Sequence, residues 1–528
     1  MKKLMFSILP ALLLALVSCM NTSQESEGGS VRVVLPSSSR ALYSSGHDDV
    51  DSFTVRLLLD EKIINEKSIN KETADTGGAI VFDELEPATY TVEVEGWMSS
   101  KDVLLYFGTE EAKVTAGQDA DCQVNLKKDC QIYDNTADAE ELKTACESDG
   151  NAYIFMGGNS SVSTNQATSD NNQLTNIISG TKIIRGNGGK LVQSTDDNKT
   201  LTTEGGQIKL FNVTGSSTIL EINNLTFTAS STVGTTSTLD GALICVDDGA
   251  TVILKQCLIK DISISRSSKD TSFIYVKNGT LLLENCSFLN NATGSGNGAK
   301  YTECIRIENG AQVEVVSCNF EGNGNAYSTS NAAAIENFGS CRIINTTFKD
   351  NLAQRGGAIM NNDSGSLEIE DSTFTGNANN NTTGYYAKRG GAIFIQGGKV
   401  QIKNTAFTGN ETYGDSQGGE HNTKGEFQKL GGGAISIKTG SLVLQSTRFK
   451  NNSVTSTDSN DAYGYGGAVL VEQSDASLLL KDANGTAMDI ASYINKYMSG
   501  NTTEKADAGK NIYCNGGTIN GSVYTQAW

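Results

Sequence analysis

Gly390-Gly391-Ala392-Ile393-Phe394-Ile395, then Val400-Gln401-Ile402-Lys403, then Phe407-Thr408-Gly409-Asn410 is the stretch on which the fold turns. Its last part returns as Phe288-Leu289-Asn290-Asn291, Phe320-Glu321-Gly322-Asn323, Phe348-Lys349-Asp350-Asn351, Phe374-Thr375-Gly376-Asn377 and Phe449-Lys450-Asn451-Asn452. Phe227 and Ile259 hold the same place in two earlier, degenerate copies. Successive spacings are 32, 29, 32, 28, 26, 33 and 42 residues, the signature of stacked repeats with variable insertions.

Aligning the copies on the Phe exposes columns. Seven residues before it stand Leu220, Val252, Leu281, Val313, Cys341, Leu367, Val400 and Leu442. Five before stand Ile222, Leu254, Leu283, Val315, Ile343, Ile369, Ile402 and Leu444. Two apolar columns with free variation between them describe a strand with one face in and one face out. Three before the Phe come Asn224, Gln256, Asn285, Ser317, Asn345, Asp371, Asn404 and Ser446, polar residues that suit a turn. Upstream, Gly357-Ala358-Ile359, Gly391-Ala392-Ile393, Gly433-Ala434-Ile435 and Gly467-Ala468-Val469 mark a second strand that begins at a close backbone corner. Stacking such units at about 4.8 Å per coil predicts an all-β chain dominated by a right-handed parallel β-helix, roughly 50 Å long for about ten coils. Propeller blades need more strands per repeat, and a horseshoe needs a Leu/Asn consensus that is missing here.

G-G-A-[I/L/V] alternating with F-x-x-N resembles the polymorphic outer membrane proteins first recognised in chlamydiae, over about residues 220–475. The resemblance implies surface display and adhesion. Members of that family end in a long autotransporter barrel, whereas here only sixty residues follow the last Gly-Gly-Ala. Further upstream, the helical stretch Ala137–Cys146 and the strands Tyr153–Phe155 and Thr181–Gly186 resemble the cap of pectate-lyase-like β-helices. A cap is needed because the first coil otherwise exposes an apolar end.

Residues 31–128 alternate apolar and polar, as in Phe53-Thr54-Val55-Arg56-Leu57 and Tyr90-Thr91-Val92-Glu93-Val94, which predicts a small antiparallel β-sandwich. Phe82-Asp83-Glu84-Leu85-Glu86-Pro87-Ala88-Thr89-Tyr90-Thr91-Val92 resembles the signature of collagen-adhesin B-type and transthyretin-like sandwiches, with Ala88 in place of the usual Gly. Such modules are commonly stalks. Before it, Lys2-Lys3, the apolar run Leu4–Val17 and a small residue read as a signal peptide over residues 1–18. Leu16-Val17-Ser18-Cys19 resembles a bacterial lipobox, which implies lipid on Cys19 and a flexible tether over 19–30. Met20 stands where Asp would retain the protein at the inner membrane, so the resemblance implies a lipid-anchored, surface-exposed outer-membrane protein.

The formal charge of −19 argues against nucleic acid as a partner. With two His, His47 and His421, both in polar contexts, a His-dependent triad is not expected. Cys257, Cys286 and Cys318 share the column two before the Phe, where later copies carry Thr346, Ser372, Thr405 and Thr447, so they read as small core residues in a free thiol stack. One pair among Cys122, Cys130 and Cys146 is open to bridging. No C-x-x-C or nonapeptide calcium repeat occurs, and no cofactor, metal site or catalytic set is expected. The outward charges Arg342 beside Glu368 and Glu370 beside Lys403 alternate in sign, as cross-strand pairs do. The long insertions fall between F-x-x-N and the next Gly-Gly-Ala, and carry Tyr301, Tyr385, Tyr386, Tyr413, Phe427, Tyr463 and Tyr465. Loops on a rigid scaffold commonly carry binding, and Tyr suits contact surfaces, so these are the candidate ligand-binding residues for a host protein or glycan. The reading is a non-catalytic surface adhesin. The rivals are a polysaccharide lyase or hydrolase and a structural or antigenic coat protein.

Overall fold

A computed structural model of the chain describes residues 28–35, 50–75, 79–99, 103–128, 130–157, 160–163, 173–186, 199–204, 209–229, 233–235, 243–266, 272–293, 303–324, 331–378, 389–414, 430–456, 463–503 and 509–528. The chain divides into two compact units, residues 1–129 and 130–528.

In the first unit the alternating segments become a five-stranded sheet and a three-stranded one. The five-stranded sheet is antiparallel throughout. In the other, Gly29–Val34 pairs antiparallel with Ala79–Leu85 but parallel with Asp119–Gln123, a departure from the simple antiparallel expectation. The apolar members of the alternation, among them Val31, Val33, Val55, Leu57, Val92 and Val94, are buried. The Phe82–Val92 signature is a packing device: Phe82 and Tyr90 enter the core, and the Tyr90 hydroxyl donates to the Glu86 carbonyl at 2.9 Å.

The second unit is a parallel β-helix. Its L-x-I strands, including Ser340–Ile344, Ser366–Glu370 and Lys399–Lys403, stack in register as one long sheet, sheet I. The G-A-I strands, including Ile359–Asn361, Ile393–Ile395, Ile435–Ile437 and Val469–Val471, stack as sheet II. The Phe strands form an 11-stranded sheet III. At the far end Ile512–Ile519 runs across a corner and pairs with both sheets I and II, and Ser522–Ala527 folds back on it antiparallel.

Each column has a physical reason. The Phe rings from Phe288 to Phe449 lie face to face, centroids 4.6–5.0 Å apart and planes within 6–9°. The coil spacing imposes that geometry on identical residues stacked in register. The Asn of F-x-x-N forms a buried ladder. Asn323, Asn351, Asn377 and Asn410 each donate from Nδ2 to the Oδ1 of the next Asn at 2.9–3.0 Å. The same amides also donate to the carbonyl of the preceding coil's Phe. Buried polar groups survive only when satisfied in this way.

The polar residues before the Phe sit in the left-handed region: Asn224, Gln256, Asn285, Ser317, Asn345, Asp371, Asn404 and Ser446 all have φ between 46° and 54°. Asn and Asp tolerate that region better than most non-glycine residues, which explains the column's composition. The second Gly of G-G-A answers a different need. A Cβ on Gly391 would lie 2.1 Å from the Gly433 carbonyl oxygen, so the coils could not close.

Cys257, Cys286 and Cys318 are free, buried thiols in the column that later holds Thr346 and Ser372. They do the same work. Cys286 Sγ donates to the Glu284 carbonyl at 3.4 Å, and Thr346 Oγ1 to that of Ile344 at 2.9 Å. Cys122 and Cys146 are also free thiols. The expected cap helix runs Ala139–Cys146, with Asp138 accepting from the Glu140 and Glu141 amides, and it buries Leu142 and Ala145.

Two features escape the repeat alignment. Met498-Ser499-Gly500-Asn501 is a further copy, in which Asn501 accepts from Asn452 at 3.0 Å and Met498 pairs with Phe449. It hides because Met replaces Phe and a helix, Ile490–Tyr497, is inserted before it. That helix has a role: the Tyr493 hydroxyl receives the Thr447 amide at 3.3 Å and donates to its carbonyl at 3.0 Å, ending the Thr column.

Candidate functional site on the outer surface of the rod

The interior of the rod is filled by these columns, which leaves chemistry to the outside. On sheet I the register brings Arg342 beside Glu368 and Glu370 beside Lys403, as the alignment predicts. The pairings are more selective than adjacency suggests. Arg342 reaches back to Glu314 at 2.6 Å rather than to Glu368, while Lys403 pairs with Glu370. The Glu370 carboxylate in turn holds the Lys403 ammonium above its ordinary pKa. Between them lies a shallow hollow of about 130 Å³ lined by Arg342, Glu368, Glu370, Gln401 and Lys403.

The outside of sheet II is different. Residues that alternate with the inward Ile column should face solvent, yet Glu336, Met360, Phe394, Ser436 and Leu470 are all at most 2 % exposed. Met360 and Phe394 pack with Ala332, and Leu470 packs with Tyr465 and Tyr513. A second layer therefore lies over this sheet, and it contains charge. Arg306 donates to Glu308 at 2.7 Å and to Glu336 at 2.9 Å, with its guanidinium over the Phe338 ring. Burial disfavours the charged guanidinium, but Glu336, Glu303 and Glu308 outweigh it and raise the Arg306 pKa. Glu336 is also bound by Asn331 Nδ2 at 2.7 Å. Its burial nonetheless pushes its pKa up, against the opposing field of Arg306. Three carboxylates share one guanidinium here, and like charges held together in low dielectric favour retention of a proton. Farther along, Arg389, fully buried, binds both carboxylate oxygens of Glu472, at 2.9 and 2.8 Å.

Of the residues named from sequence as a binding set, Tyr413 lies on the short strand Glu411–Gly414, where it pairs with Thr455 and is half-buried. Tyr463 and Tyr465 lie on a strand that pairs with Leu430–Gly431. Tyr465 is buried against Leu470, its ring 4.7 Å from that of Tyr513, so it serves packing. Tyr301, Tyr385, Tyr386 and Phe427 lie outside the described residues, as do Cys19, His47 and His421. The buried charges of sheet II were not anticipated. Their signal was present: a charged residue between two inward positions, as in Ile305-Arg306-Ile307 and Ile335-Glu336-Asn337.

Among the described residues no three His, Cys, Asp or Glu side chains are grouped to hold a metal ion. No helix among them is long and apolar enough to cross a membrane. The fold defines a parallel β-helix unit joined in sequence to a β-sandwich unit. The chain matches no known protein-family profile, and no curated protein shows significant sequence similarity to it.

Proposed function

We propose that this chain is a lipid-anchored surface adhesin, held at the bacterial outer membrane through Cys19, whose β-helix displays insertions for contact with a host protein or glycan. One observation carries the reading. In the sequence, the aromatic-bearing insertions at 292–302, 378–389, 411–430 and 453–465 all fall between F-x-x-N and the next sheet II strand, so these variable segments share one edge of a repetitive scaffold. The scaffold itself commits its Phe, Asn, Gly and Cys columns to packing, and function lives in what is grafted on it. The motif likeness to polymorphic outer membrane proteins points the same way.

Removing residues 415–429 tests this. The truncated protein should keep its circular dichroism and melting profile, yet lose attachment to an array of matrix proteins and glycans that retains the intact chain. Equal retention of both proteins would remove the insertion from the argument.

A second reading rests on the hollow of sheet I. Glu368 and Glu370 project from one strand about 6.6 Å apart along the chain. Side chains that leave one face of a strand at that backbone spacing can hold their carboxyl groups at the separation used by the acid–base pair of an inverting glycosidase. Release of reducing or unsaturated sugar ends from any polysaccharide on the array, abolished by Glu368→Gln, would establish catalysis in place of adhesion.

A further inference from the structure

The columns that build the rod create a problem that they do not solve. Gly391-Ala392-Ile393, Gly433-Ala434-Ile435 and Gly467-Ala468-Val469 open three successive coils with nearly the same inward residues. Phe407, Phe449 and Met498 fill the same inward place, as do Asn410, Asn452 and Asn501. Nothing in those columns prevents the first of these coils from docking directly on the third, with the second looped out. Mispairing of similar repeats is a characteristic failure of repeat proteins.

The structure assigns to Arg389, Ser436 and Glu472 the task of excluding that error: together they form a register lock that reads the order of three coils. Arg389 stands on the corner just before the first Gly-Gly-Ala, and its partner Glu472 lies 83 residues on, at the end of the third G-A-[I/V] strand. The other inter-coil ion pairs among the described residues of the rod, such as Lys255–Glu221, Arg342–Glu314 and Lys403–Glu370, join neighbouring coils. Arg389–Glu472 alone among them crosses an intervening coil.

What it crosses is shaped for it. The outward column of sheet II runs Met360, Phe394, Ser436, Leu470, with one small member, Ser436. The Arg389 side chain passes over the Phe394 ring, its guanidinium carbon 5.5 Å from the centroid. It meets a carboxylate that Ser436 also binds, Oγ donating to Glu472 Oε1 at 2.5 Å. A large residue at 436 would stand between the ends of the pair. Two coils separate the partners by about 9.6 Å along the rod, against about 4.8 Å if one coil were skipped. The pair is fully buried, where breaking it one-sidedly is costly and its net contribution to stability is small. Fixing a register is the best-attested use of such a pair.

The test replaces both charges with apolar residues, Arg389→Met with Glu472→Leu, in the full chain. After denaturation and refolding under reducing conditions, backbone hydrogen exchange reads the second coil directly: strands 435–437, 441–445 and 448–450 are paired on both sides in the native order and looped out after a skip. In the locked protein these strands should be protected as well as their neighbours at 399–403 and 476–481. The double apolar variant should show a second population, in a substantial fraction, with 435–450 unprotected and 399–403 still protected, and several-fold less native protein, while its correctly folded fraction melts within a few degrees of the parent. Refolding of the variant with parental yield and uniform protection would overturn the proposal. So would poor yield without the unprotected population and with a much lower melting point, which is the behaviour of a pair that merely stabilises. Ser436→Leu, which leaves both charges in place, should reproduce that population; its absence there would also count against the lock.

Discussion

The inside of the rod and the outside of sheet II are built on opposite principles. Inside, one solution is repeated: Phe on Phe, Asn on Asn, small residue on small residue, coil after coil. Outside sheet II, six successive coils carry six different residues: Arg306, Glu336, Met360, Phe394, Ser436 and Leu470 follow one another in register. Repetition makes the rod stable to extension but leaves its coils interchangeable. The unrepeated exterior gives each coil an identity. Stability of stacked repeats is close to a sum of like terms, whereas specificity needs unlike ones.

The largest test of that contrast is a break in the Asn ladder. Asn377→Ala removes two donors and the acceptor that binds Asn351, leaving the Phe348 carbonyl, the Asn351 amide and the Asn410 Oδ1 short of partners in a dry interior. At about 1–3 kcal/mol for each buried group stranded, a loss on the order of 4 kcal/mol is expected. Hydrogen exchange should show it concentrated in the flanking coils. Uniform protection like the parent's would mean that the ladder is not what holds the interior.

Gly391→Ala should come next, at roughly 2–3 kcal/mol, because its Cβ would overlap the Gly433 carbonyl and the backbone must move. Gly409→Asn is its control. Gly409 has φ 62°, nothing lies within 4 Å of its added Cβ, and Asn451 already adopts that conformation in the same column. A melting change equivalent to less than about 0.5 kcal/mol is expected. Similar losses at the two glycines would contradict the distinction between close approach and backbone conformation.

The exterior is sharpened by pH. Because Glu336 has a raised pKa in the folded protein, the folded state holds its proton where the unfolded chain releases it. The stability from this group is complete below the ordinary carboxylate range and is lost as pH rises through the raised value. Melting temperature should therefore fall across that window in the parent and fall less in Glu336→Gln. A steeper decline in the variant would show that Arg306 dominates instead.

The smallest effect is expected at Cys286→Ser, within about 1 kcal/mol, since Ser372 holds the equivalent position with the same bond to a carbonyl. Burial holds the Cys286 thiol well above its ordinary pKa, so the native parent should resist thiol reagents. Rapid labelling before unfolding would show that this stretch of the interior opens.

How much was legible follows from the same contrast. The inward columns were readable residue by residue, because one copy checks the next: eight copies agree at the two strand positions, and the turn column, the Phe and the Asn follow. Met498 and Asn501 escaped because a single changed residue and an inserted helix defeat alignment on Phe. The candidate site was legible only in part. Arg342, Glu368, Glu370 and Lys403 could be placed side by side from the repeat register, but which charge pairs with which could not. Tyr465 looked like a contact residue by type and context, yet packs against Leu470 and Tyr513, residues of other segments that no local pattern links to it.

The sequence by itself therefore determined the rod: period, inward columns, left-handed turns and glycine corners are local or repeated features, and each constrains the backbone at its own position. Only the tertiary structure decided what the exterior does. The burial of Phe394, the surplus of carboxylates around Arg306 and the reach of Arg389 across a coil to Glu472 depend on unlike residues from separate coils meeting once. An arrangement that occurs once leaves no period to read.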